Sequence, residues 1–211
     1  MEKKSEKIKN LTIKKIENVF FDVREFILNE LNTEIKESKN IKLKIDLKLL
    51  IMKLNNFDIK KLKLDTYNKK NTAETVPGKR ITFFKKRFDN FSYDGLLLTM
   101  HHELTHYIGR DIIDFNLNEI KNLKLEFSNR EMITKILNFR YFMKKNNYEL
   151  NLKSINIIFN LVEKKDKSIG INERIDLSTI YKNFKYDKVI LLQKLQNLVK
   201  LEQLKEEVKN T

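Results

Sequence analysis

Three features of the 211-residue sequence predict a mixed α+β fold: helical spacing at the start, short alternating apolar runs in the middle, and helical spacing again after position 109. Ile13, Ile16, Val19, Phe20, Val23, Ile27 and Leu31 recur at three- and four-residue steps, so residues 8–36 read as one amphipathic helix. Ile41, Leu43, Ile45, Leu47 and Leu49 recur at every second position and read as a strand, although 49–54 fit a helix equally well. Leu62 and Leu64 repeat the alternation in a second strand. Residues 71–79, with Pro77-Gly78, read as a loop before a third strand at 80–84.

A helix follows at 96–108. It contains no Pro or Gly, Leu96, Leu97, Met100, Leu104 and Ile108 form its apolar face, Asp94 can cap its start, and Gly109 can end it. Further on, 150–162 read as a helix, 164–172 with Gly170 as a loop, and 186–208 as a long helix carrying Val189, Leu192, Leu195, Val199 and Leu204. The expected organisation is an N-terminal helix (1–40), a core (41–145) and a helical C-terminal part (146–211) packed on that core, together one domain.

Composition excludes several classes. The chain has no cysteine, so disulfides, zinc ribbons and thiol nucleophiles are absent, which suits a reducing compartment. The opening MEKKSEKIKNLTIKK has no apolar signal region, and no stretch approaches a membrane span, so a cytoplasmic protein without membrane contact is expected; signal-less export is compatible with this. The net charge of +14 raises the possibility of a nucleic-acid or acidic protein partner. Lysines occur in nearly every segment, however, and arginine, the usual base reader, occurs only at 24, 80, 87, 110, 130, 140 and 174. Nucleic acid is therefore not the favoured partner. A glycine-rich phosphate loop and internal repeats are also missing.

The run His102-Glu103-Leu104-Thr105-His106 carries the most chemistry. It has the H-E-x-x-H zinc spacing. Four residues apart on a helix, His102 and His106 can present two imidazole nitrogens to one metal, and Glu103 beside them can take a proton from a metal-acidified water. The bland alternative is a surface helix with two satisfied histidines. Zinc is the expected cofactor, although cobalt or manganese accept the same ligand types. The only other histidine, His101, is rotated about 100° from His102 and cannot readily join the same metal, so a third ligand should be a carboxylate.

Strands, then a short strand, then this helix, then more helices: in that order the chain resembles the zincin metallopeptidases, over roughly residues 60–140. The resemblance implies a small zincin-like sheet beside the H-E-x-x-H helix, with Arg80-Ile81-Thr82-Phe83-Phe84 as the edge strand that pairs with an extended substrate; an ordinary buried strand is the alternative. Metzincin-like and SprT-like patterns fit poorly, because position 112 is Ile112 where a third histidine would stand and Asp111 lies one place early. The closer likeness is to gluzincins, nearest to ImmA/IrrE-like intracellular peptidases, on the segment EFSNREMITKILNF. It implies that Glu131 is the third ligand, ahead of Glu126, and then Glu119, Asp111 or Asp114. The competing explanation for Glu131 is a capping box with Ser128.

By this likeness the chain is a zinc-dependent endopeptidase acting on a protein or peptide, with Glu103 as general base and His102, His106 and Glu131 as metal ligands. No histidine follows His106, so a tyrosine or arginine would have to stabilise the oxyanion: Tyr107, Tyr141, Tyr148, Tyr181, Arg140 or Arg174. His101 and Thr105 read as packing residues. The alternative function is a non-catalytic basic protein on a similar scaffold that engages nucleic acid or an acidic protein.

Overall fold

In the computed structural model, which describes residues 10–67, 71–88, 91–113, 129–166 and 171–196, the first helix starts where Thr12 accepts the Lys15 N–H. Helix α1 (Ile13–Glu37) buries Ile16, Val19, Phe20, Val23, Ile27 and Leu31 on one face and ends at the extended Ser38.

Residues 41–55 form helix α2 (Ile41–Asn55), not the strand that the alternation suggested. The Asn40 side chain accepts the Leu43 N–H and nucleates the first turn. Leu43, Leu47, Leu50 and Leu54 form the buried face, while Ile41, Ile45, Leu49 and Met52 point to solvent. A helix apolar on two opposite faces gives an odd-numbered apolar series that imitates a strand.

The sheet contains β1 (Leu62–Asp65), β2 (Ala73–Val76) and β3 (Arg80–Phe84) in the order β1-β3-β2. β1 runs parallel to β3 with Leu62 opposite Ile81, and β2 runs antiparallel to β3 with Ala73 opposite Phe83. Two expectations change. The supposed loop 71–79 contains β2, and only Pro77, Gly78 and Lys79 turn; Gly78 has φ 68°, and the Lys79 N–H closes the turn on the Val76 carbonyl. β3 is the central strand instead of the edge, because Ile81 and Phe83 are fully buried and hydrogen-bonded neighbours flank it on both sides.

Helix α3 (Tyr93–Ile108) is capped by Ser92, whose Oγ accepts the Gly95 N–H, so Asp94 lies inside the first turn and is not the cap. Gly109 ends it with φ 83°. Helical geometry resumes at 110–113. Beyond lie α4 (Asn129–Lys145), α5 (Leu152–Glu163), α6 (Ile171–Phe184) and α7 (Lys188–Leu195). The expected loop 164–172 is shortened by the start of α6. The expected helix 186–208 is described only to position 196, where Gln196 is extended and ends α7; 197–208 lie outside the described residues.

β2, β3, α1 and α4 all pack on α3, so the H-E-x-x-H run lies at the centre of the molecule. A buried ionic cluster fixes the chain where it leaves α3. Glu34 of α1 accepts from Arg110 at 2.9 and 3.1 Å and from Arg140 of α4 at 3.2 Å, and Arg140 also reaches Glu30 at 2.9 Å. Lys144 pairs with Glu30 as well. Among the described residues no helix is long and apolar enough to cross a membrane.

Candidate metal centre

His102 and His106 lie one turn apart on α3, with ring centroids 4.9 Å apart. Glu131, in the first turn of α4, faces both. His102 Nε2 is 3.3 Å from Glu131 Oε1, and His106 Nε2 is 3.2 Å from Oε2. One donor atom from each of the three residues lies within 4.8 Å of the others. Lys135, one turn further along α4, approaches the same carboxylate at 3.6 Å.

Behind His106 stands Asp111, fully buried, with Oδ2 at 3.1 Å from His106 Nδ1. Arg130 Nε donates to that same oxygen at 2.7 Å. Burial alone would push His106 down, but its hydrogen bonds to Asp111 and Glu131 outweigh burial and hold it up to about 9. Glu131 shows the reciprocal effect: burial raises it, and the two histidines more than reverse this, leaving its carboxyl well below the usual range. Asp111 is likewise lowered against burial by His106 and Arg130.

Glu103 follows His102 and is turned about 100° from it, towards β2. It is 7% exposed, and Thr75 Oγ1 lies 2.6 Å from its Oε2. Thr75, Pro77, Glu103, His106, Arg130 and Glu131 line one cavity of about 300 Å³.

This donor set could hold a metal ion, and its ligand types are those zinc takes. The His102 and His106 Nε2 atoms both face the Glu131 carboxylate, giving three protein donors, the number a catalytic zinc takes. Asp111 supplies the second requirement, a carboxylate on the far nitrogen of His106 that fixes its tautomer and orientation.

The structure brings His102, Glu103, His106 and Glu131 together. Asp111 is not among the converging donors and acts behind one of them. Glu119, Glu126, Asp114 and the Ser128 end of the supposed capping box lie outside the described residues. Five of the six oxyanion candidates do not line the cavity. Tyr107 hydroxyl accepts from Lys61 Nζ at 3.0 Å, Tyr141 stacks on His101 at 4.5 Å, and Arg140 belongs to the ionic cluster. Tyr148 packs on Phe142 and Tyr181 on Phe159, and the side chain of Arg174 lies outside the described residues. His101 itself is buried against Tyr141 and Phe26, and burial pushes it down to about 3, so it is held neutral away from the cavity.

Sequence reasoning missed Thr75 and Arg130 as lining residues. Thr75-Val76 before Pro77-Gly78 is a β-branched pair at a turn, which marks a strand end. Arg130 adjoins Glu131 but has no spacing signal of its own. Compared with protein-family models, curated proteins and solved structures, the chain matches none of them.

Proposed function

We propose that this chain is a zinc-dependent metallopeptidase of the gluzincin kind, hydrolysing a peptide bond in a protein substrate. The observation that carries the reading is the convergence of His102, His106 and Glu131, the last two lining the cavity where the Glu103 carboxylate is held by Thr75. Zinc bound by those three residues would supply Lewis-acid polarisation and lower the pKa of a water to about 7.

The protein groups do the rest. Glu103 takes a proton from the attacking water as its oxygen bonds to the scissile carbonyl carbon, then returns that proton to the amine nitrogen as the C–N bond breaks. Thr75 holds one oxygen of Glu103 in place during both transfers. Arg130 lines the same cavity and can meet negative charge developing on the carbonyl oxygen. The zincin resemblance assigns an edge strand to substrate pairing, and here that part falls to β2, whose Thr75 already borders the site, instead of β3.

The test is metal content after dialysis, paired with cleavage of a mixed peptide library. The expected result is about one zinc per chain in wild type and in Glu103→Gln, with cleavage only in wild type. A chain that takes up no zinc, or a Glu103→Gln variant that cleaves as well as wild type, would overturn the reading.

A further inference from the structure

The outer face of α2 has no place in the mechanism. Ile41 is 75% exposed, Ile45 54%, Leu49 45% and Met52 52%, at steps of four, four and three along one side of the helix. Single exposed apolar residues are ordinary, whereas a continuous row marks an interaction site. At 100° per residue, Lys44 and Lys48 flank this row on one side and Lys42 and Lys53 on the other. None of these four lysines has a carboxylate partner among the described residues; Lys53 donates to the Ile108 carbonyl, and the others make no such contact.

The row also leads somewhere. Its last residue, Met52, and its neighbour Lys53 line a cavity of about 500 Å³ whose walls include Lys61, Pro77, His106 and Arg130. Pro77, His106 and Arg130 are shared with the catalytic cavity. Among the described residues no acidic side chain lines this second cavity. From Ile41 to the cavity mouth the helix runs roughly 16 Å, long enough to seat two or three turns of a partner.

We propose that α2 is a docking surface for an acidic amphipathic segment of the substrate protein: apolar side chains lie on Ile41, Ile45, Leu49 and Met52, flanking Asp or Glu carboxylates meet the lysines, and the adjoining chain enters the cleft past Lys53. The word substrate rests on the peptidase reading; the surface and its ligand chemistry do not. A second copy of the chain is disfavoured as occupant, because a two-fold pairing of this face would bring its own lysines together in a molecule already at +14.

The experiment uses the full chain and a fluorescein-labelled amphipathic peptide of leucine and glutamate, with a leucine–lysine peptide as control, read by anisotropy. Two variants alter exposed positions only: Ile45→Glu with Leu49→Glu, and Lys44→Glu with Lys48→Glu, each checked for an unchanged urea midpoint. The acidic peptide should bind wild type and lose about tenfold or more in affinity with either variant, the scale set by removing central contacts. The control peptide should not bind, and a short peptide lacking the acidic segment should be cleaved by all three proteins at the same kcat/KM. Equal binding to wild type and both variants would overturn the proposal. So would binding to phosphatidylglycerol–phosphatidylcholine vesicles in place of the peptide, or a wild-type dimer in sedimentation that Ile45→Glu with Leu49→Glu dissociates. Peptide binding in a chain that takes up no zinc and cleaves nothing would remove the peptidase reading and leave the docking surface standing.

Discussion

Thr75 Oγ1 stands 2.6 Å from Glu103 Oε2, so a hydroxyl on the edge strand holds one oxygen of the carboxylate that lies beside the two histidines. A charge-assisted hydrogen bond of this kind is worth roughly 1.5–3 kcal/mol. Thr75→Val should therefore lower kcat by about 10- to 100-fold and leave KM nearly unchanged, and Thr75→Ser should restore most of the rate. Steady-state kinetics on one peptide would check this; equal losses in the Val and Ser variants would assign Thr75 to packing.

Asp111 orients His106 without joining the converging donors. Asp111→Asn should keep one zinc per chain but weaken its affinity about 10- to 100-fold, whereas Glu131→Ala should lower the stoichiometry itself. Competition with a chromophoric chelator separates the two effects.

The ionic cluster sets an acid limit on stability. Burial pushes Glu30 up, but Arg140 and Lys144 outweigh it and bring the carboxyl down to about 2 from an ordinary 4.5. A carboxyl lowered by folding stabilises the native state above its unfolded value and loses that contribution as pH falls through its folded value. Stability should therefore hold above pH 4.5 and decline between 4.5 and 2, by ~3 kcal/mol from this group. Urea unfolding of wild type and Glu30→Gln at a series of pH values would show it, the variant having the flatter profile.

Leu47 is fully buried and Ile45 is 54% exposed, although both lie on the same side of any strand. Leu47→Ala should cost roughly 2–5 kcal/mol and Ile45→Ala under about 0.5 kcal/mol. Equal costs in chemical denaturation would contradict the helical assignment of α2.

What the sequence made legible was what one period could carry. α1 has a single apolar stripe, so its buried face could be read directly from positions 16, 19, 20, 23, 27 and 31. The His102–His106 spacing needed only helix geometry, and the scarcity of histidine pointed to a carboxylate as third ligand; the choice of Glu131 among the downstream carboxylates rested on the gluzincin resemblance, and Glu131 lies beside both histidines. α2 failed because its second apolar face is turned outward, where folding does not require it. β2 failed because four residues, two of them Ala73 and Glu74, give too little alternation to detect before Pro77. Arg130 could not be read at all: its place depends on the contact between α4 and α3, which no local pattern encodes.

Glu34 and Arg140 touch nothing in the cleft, yet with Arg110 they pin the backbone one residue before Asp111. Removing one member of such a buried group leaves a stranded charge, commonly at a cost of 3–5 kcal/mol, while replacing all of them together with well-packed apolar residues is often neutral or stabilising. A residue-by-residue scan scored by turnover would thus flag Glu34 and Arg140 as though they were chemical participants, and a block replacement of Glu30, Glu34, Arg110, Arg140 and Lys144 would expose them as carpentry, its activity revealing how much aim His106 had borrowed from them.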